Sequence, residues 1–208
     1  MFGGCLVALS LAACGSLPIA RLASVRVDTP QDPRAISLTA ADLPGGLATC
    51  PASGQIDSYL RSLQVDGSPS YEVAAEQWMN MKRLGAIAGW VQSFAQSADD
   101  CVARLGERQG PSAISFAIRF RDAASALAGF NGGFLGLRPA PAMEAPGLVR
   151  GSPTQLTGDA WTYDQTNEAP AVFVAFWANH QFDLFLLTER LPAGTALRAA
   201  SGMNARVH

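Results

Sequence analysis

The sequence predicts an α+β fold, an antiparallel sheet with helices packed on one face. Three observations carry that expectation. The first is Ala171–Thr188, AVFVAFWANHQFDLFLLT, the most apolar run outside the N-terminus. Asn179, His180 and Gln181 divide it into Val172–Trp177 and Phe182–Leu187, two strand-length segments rich in β-branched and aromatic residues, which read as a central β-hairpin. The second is Ala113–Arg121, where Ile114, Phe116, Ile118 and Phe120 alternate with Ser115, Ala117, Arg119 and Arg121 at the period of a strand. The third is the order of elements: helical patterns, strands, a helix, strands again and a last helix. Short links between adjacent strands are the mark of an antiparallel sheet.

The rival for the apolar run is a membrane span, for which it is about long enough. Asn179, His180, Gln181 and Asp183 fall near its middle, and polar or charged groups there are costly in hydrocarbon. In the hairpin reading Val172, Val174 and Phe176 face one side, and Phe173, Ala175 and Trp177 the other. Both sets are apolar, so at least this strand is covered on both sides or meets a second layer.

The remaining elements follow in chain order. Ser53 or Gly54 opens a helix through Gln55–Leu63, with Ile56, Tyr59, Leu60 and Leu63 on one face, and Asp66-Gly67-Ser68-Pro69 ends it. Ser70 has the chemistry of an N-cap and Glu72 suits the first turn. Ala74, Trp78 and Met81 then recur at helical spacing to about Arg83. Ala86–Phe94 reads as a strand interrupted by Gly89. Ser97 to Asp100 caps a short helix carrying Cys101, Val102 and Leu105, and Gln109-Gly110-Pro111 turns the chain into Ala113–Arg121. Asp122 caps a helix over Ala123–Phe130 that Asn131-Gly132-Gly133 stops. Gly136–Pro153, rich in Pro and Gly, reads as a long surface loop. Gln155–Tyr163 is a strand leading by Asp164–Glu168 into the hairpin. Pro192 and Thr195 open a last helix with Leu197, Ala200, Met203 and Val207 as its packing stripe. Trp78, Trp90 and Trp177 read as core residues, and Arg119 and Arg121 as charges facing solvent or a carboxylate on a neighbouring strand.

The N-terminus has a different character. Residues 1–20 carry no charged side chain before Ala20, and Cys5–Ala13, CLVALSLAA, is too short to span a bilayer but suits the apolar region of a signal peptide. Leu11-Ala12-Ala13-Cys14-Gly15-Ser16 follows and resembles the lipobox of bacterial lipoproteins. The resemblance implies cleavage before Cys14, a lipid thioether on its sulfur and further palmitate-type acylation of the new terminus, enough chains for stable anchoring. Met1-Phe2-Gly3-Gly4 lacks the Lys or Arg that opens such signals, so either the true start lies upstream or the signal is weak. The alternative is a buried apolar helix with an ordinary cysteine. On the lipobox reading residues 1–13 are a signal peptide, 14–34 a Pro-containing tether with a strand at Ser24–Val27, and 35–208 one α+β domain. Gly15, which is not an aspartate, is compatible with the cell membrane or an outer membrane as the destination.

With Cys5 removed and Cys14 lipidated, Cys50 and Cys101 remain, an even pair in an oxidising compartment. They form a disulfide or stand as two buried thiols. They lack any zinc-ligand spacing with His180 and His208, and no CxxC is present.

Composition narrows function by exclusion. The 208 residues carry a formal net charge of -2, and only 15% are charged, against about 25% in ordinary domains. Lys82 is the one lysine. No basic block marks a nucleic-acid or anionic-lipid surface. No GxSxG, P-loop, HExxH or EF-hand pattern occurs, and no cofactor or metal is implied. A Ser-His-Asp arrangement needs His180 oriented by a carboxylate, for which Asp183 is the sequence neighbour; a polar turn residue is the plainer role. Asp159, Asp164 and Glu168 beside Trp161, Tyr163 and Asn167 have the chemistry to hold a sugar, an amine or calcium, or form a solvated loop. Asp159, Trp161, Tyr163, Asp164 and His180 are thus the candidate ligand-binding set.

The lipobox, the cysteine pair and a C-terminal hairpin followed by a helix containing Met203-Asn204-Ala205-Arg206 resemble small extracytoplasmic lipoproteins of Gram-positive bacteria. More loosely, the C-terminal half is similar to the sensor-type α+β domains displayed outside some actinobacterial cells. The resemblance implies a membrane-anchored, extracytoplasmic and non-catalytic domain that binds a small molecule, a cell-wall glycan or an envelope protein. An envelope hydrolase with dispersed residues such as His180 and Asp183, or a structural or assembly factor, is the alternative.

Overall fold

In the computed structural model, residues 31–68, 70–103, 107–134 and 144–208 are described. Cys14, the expected strand at Ser24–Val27 and Leu105 lie outside these residues. The compact unit begins at Gln31, so Gln31 to Arg34, expected in the tether, belong to the domain: Gln31 Nε2 donates to the Arg206 carbonyl, and the Asp32 side chain accepts from Arg34 N–H.

The helices are α1 (Pro33–Ile36), α2 (Ile56–Val65), α3 (Tyr71–Arg83), α4 (Ala98–Val102), α5 (Ala123–Gly132) and α6 (Ala193–Ala205). The strands are β1 (Ala48–Thr49), β2 (Gly54–Gln55), β3 (Ala86–Ala95), β4 (Ser112–Phe120), β5 (Leu148–Arg150), β6 (Ala160–Gln165), β7 (Val172–Asn179) and β8 (Phe182–Glu189). They build one eight-stranded sheet ordered β1-β3-β4-β8-β7-β6-β5, with β2 also on β3. Every pairing is antiparallel. The α+β class and the antiparallel sheet are as the sequence predicts. The hairpin sits at the centre: β7 and β8 turn through His180-Gln181, His180 at φ 51°, and all of β8 is buried. Among the described residues, no helix is long and apolar enough to cross a membrane.

The helices, expected on one face, lie on both, so the sheet is buried on both sides, which accounts for the two apolar faces of β7. On one side α2, α3 and α5 cover Ile114, Phe116, Ile118, Phe120, Val174, Phe176, Phe185 and Leu187. On the other, α6 and α1, with Leu38 and Leu43 on either side of the 3-10 turn Ala40–Asp42, cover Phe173, Ala175, Trp177, Phe182, Leu184 and Leu186. The second cover is short and rich in alanine, so its stripe is faint in the sequence.

Several local expectations are corrected. Ser70 makes no side-chain cap on α3; Ser68 Oγ accepts from Ser70 N–H in its place. Trp90 is half-buried, with the Arg34 guanidinium 5.2 Å from its ring centroid. Arg119 does not face open solvent: its Nη1 donates to the Gln31 carbonyl. Arg121 does, as expected. Within the expected Pro/Gly loop, Leu148–Val149–Arg150 pairs with Trp161–Tyr163 as an edge strand.

The expected bridge is present. Cys50, between β1 and β2, is joined to Cys101 in α4, with Cα atoms 5.5 Å apart. Closing a loop of this size removes denatured-state entropy equivalent to about 4 kcal/mol in the loop-closure model. Locally, it fastens α4 to the edge of the sheet.

Candidate functional site

The helices over β4 and β8 do not fill the space above them. α5 seals one end of this face. Gly129 lets it lie against Phe120 and Asp183, where any Cβ would overlap the Asp183 carboxyl oxygen. Toward the other end, α2 and α3 stand off from the sheet and α4 closes the side, leaving an open cleft of about 650 Å³. Small-molecule sites typically span about 300–1,000 Å³.

Its floor is the sheet: Ile114 and Phe116 of β4 with Phe185 and Leu187 of β8. Strand register pairs Ile114 with Leu187 and Phe116 with Phe185. Tyr59, Ser62 and Leu63 of α2 and Val73 and Ala74 of α3 form one wall, with Asp66, Gly67, Ser68 and Ser70 at the connection between the helices. Cys101, Val102 and Ala103 form the other. The rim is unusually apolar: Val73 is 53% exposed and Val102 80%.

One buried charge faces this space. Arg108, 8% exposed, lines the cleft. Its position comes from a loop held by Asp100, whose carboxylate accepts from Gln109 N–H at 2.7 Å and Gly110 N–H at 3.1 Å. The Gln109 bond is the main reason the Asp100 carboxyl is held below the usual range. The Arg108 guanidinium donates through Nε to the Ala103 carbonyl and through Nη1 to Ser112 Oγ, and Nη1 lies 3.4 Å from Glu189 Oε2. Among the described residues, nothing accepts from Nη2. Tyr59 stands in the field of this cation. Burial pushes its hydroxyl above the ordinary value while Arg108 pulls the other way, so the phenol stays neutral.

The cleft offers a large apolar surface, free guanidinium donors and several serine hydroxyls, and among the described residues no histidine lines it to activate those hydroxyls. Among the described residues, no group of three His, Cys, Asp or Glu is placed to hold a metal.

The five candidates from the sequence lie elsewhere; none lines the cleft. Asp159 is exposed just before β6. Trp161 is 5% exposed and meets Phe176 edge-on at 6.1 Å. The Tyr163 hydroxyl accepts from Gln165 Nε2. Asp164 Oδ1 accepts from Thr166 N–H and Oγ1–H, the bonds of a self-contained turn. His180 is exposed at the hairpin tip. Asp183 points into the core beneath α5, and neither of its carboxyl oxygens has a hydrogen-bond partner among the described residues, so it does not orient His180. Strand alternation, which puts residues 183, 185 and 187 on one face, carried the signal for that separation. Arg108 had no such signal; a lone arginine before a turn fits no pattern.

Compared with known proteins, the chain matches no family model and no curated sequence.

Proposed function

We propose that this chain is an extracytoplasmic lipoprotein, anchored to a membrane through Cys14, whose α+β domain is a non-catalytic binding module with its ligand site in the cleft between α2, α3, α4 and the sheet. The cleft is the observation that carries the binding reading. Fully covered cores close to native packing density, and this face of the sheet instead keeps a space open. Ligand-sized space lined by apolar side chains and a buried guanidinium is the usual character of a small-molecule site. The anchor rests on the lipobox resemblance and is supported by the Cys50–Cys101 bridge, since disulfides persist in oxidising compartments. The hydrolase alternative loses ground because His180 and Asp183 are not hydrogen-bonded to each other.

Two readouts on the expressed protein test this. Radiolabelled lipid enters the wild type and not Cys14→Ser; equal labelling removes the anchor. The uncharged fluorophore N-phenylnaphthylamine brightens on the wild type and much less on Val73→Trp, which places an indole over the mouth from an exposed position. Equal brightening, or none on either, removes the cleft as the binding site.

A further inference from the structure

On the basis that the cleft is the binding site, we propose that its ligand is an acyl compound: an aliphatic chain laid along Ile114, Phe116, Phe185 and Leu187, with its carbonyl or carboxylate oxygen accepting from Arg108 Nη2.

The floor is a stripe with a direction. On one face of the β4–β8 ladder the successive register pairs are Phe116 with Phe185, Ile114 with Leu187, and Ser112 with Glu189. The first two pairs are apolar. The third is the pair that holds the guanidinium, through Ser112 Oγ at 3.0 Å and Glu189 Oε2 at 3.4 Å. An apolar track that ends at a buried donor matches an elongated molecule with an apolar body and an oxygen at one end. Nη2 is the group left for that oxygen, because Nε and Nη1 are already engaged. A donor in a low-dielectric cleft gains more from a partner than one in water. A quaternary ammonium head has no acceptor to offer that donor. The exposed valines at the rim, Val73 and Val102, suit an aliphatic chain passing between the helices.

The test is displacement of N-phenylnaphthylamine from the full-length lipoprotein by three amphiphiles that share one chain and differ in the head: monodecanoylglycerol, decanoate and decyltrimethylammonium. The ester, the carboxylate or both displace the dye at concentrations at least about tenfold lower than the ammonium, equivalent to about 1.4 kcal/mol, and Arg108→Gln narrows that gap. Which of the two prevails tells whether the head is neutral or charged. Equal displacement by all three heads, with Val73→Trp still excluding the dye, overturns the acyl assignment and leaves the cleft reading standing. Failure of the dye to bind the wild type overturns both. The comparison of heads on the wild type stands whether or not Arg108→Gln folds.

Discussion

The two faces of the sheet solve the same burial problem in opposite ways. Under α6 the packing is close and a side-chain network ties the helix to the sheet, although Arg206 Nε and Thr188 Oγ1 are buried without partners among the described residues. Ala196, Ala199, Ala200 and Met203 have no exposed surface. Asn204 Oδ1 accepts from Trp177 Nε1 at 3.0 Å and from Asn179 Nδ2 at 2.8 Å, while its amide donates to the Leu156 carbonyl. Beyond it Arg206 grips both oxygens of Asp42 and the Ser37 carbonyl, a bidentate geometry of the stronger kind. Under α2, α3 and α5 a whole carboxyl, Asp183, is buried without a partner among the described residues, and Arg108 keeps a free donor edge at an open cleft. Small helical residues with networked side chains hold the fold together on one face. The slack on the other is the space that we propose a ligand fills.

One substitution made on both faces sharpens that contrast. Ala200→Leu forces a larger side chain into filled space, and such overpacking costs about 1–3 kcal/mol. Ala74→Leu projects into the cleft from a helix that accepts leucine readily, and its effect stays within about 0.5 kcal/mol, the usual range away from packed sites. Urea unfolding monitored by tryptophan fluorescence measures both. Equal costs would mean that the cleft face is packed as tightly as the other.

The faces also respond to pH with opposite sign. Desolvation raises the Asp183 carboxyl well above the ordinary carboxylate value. The folded state then holds a proton that the unfolded chain releases. The stability tied to Asp183 is full below the unfolded value and is lost as pH rises toward the folded one, by about 1 kcal/mol per pH unit. Asp42 runs the other way. Burial opposes its charge, but the hydrogen bonds from Arg206 and Thr39 outweigh it and hold the carboxyl below the ordinary value. Its contribution is present above the unfolded value and lost as pH falls through the folded one. Asp183→Asn therefore flattens the stability profile on its alkaline side, and Asp42→Asn on its acid side. A profile for Asp183→Asn that parallels the wild type from acid to alkaline pH would show that the carboxyl is not buried as described.

The hairpin, β4, α3 and the Cys50–Cys101 pair were legible in the sequence because each rests on a local pattern: a polar break in an apolar run, an alternation, a helical spacing, an even cysteine count. α1, β1 and β2 are too short to show a period. β5 was hidden because Gly147 and Gly151 flank three residues that become a strand only by pairing with β6. The cleft was illegible for a deeper reason. It depends on the distance at which α2 and α3 stand from the sheet, and Tyr59 and Leu63 show the same helical spacing whether they seal a core or line a cavity. Trp161 and Tyr163 beside carboxylates looked like a recognition platform. The sheet turns them into packing, because their face of β6 belongs to the core on the side of α2, α3 and α5.

The most direct test is a crystal structure of the mature protein grown with monodecanoylglycerol. The account predicts a chain along Phe116, Phe185, Ile114 and Leu187 with an oxygen at hydrogen-bond distance from Arg108 Nη2. A cleft closed by α2 and α3 settling onto the sheet, with the amphiphile absent or bound elsewhere, would contradict it.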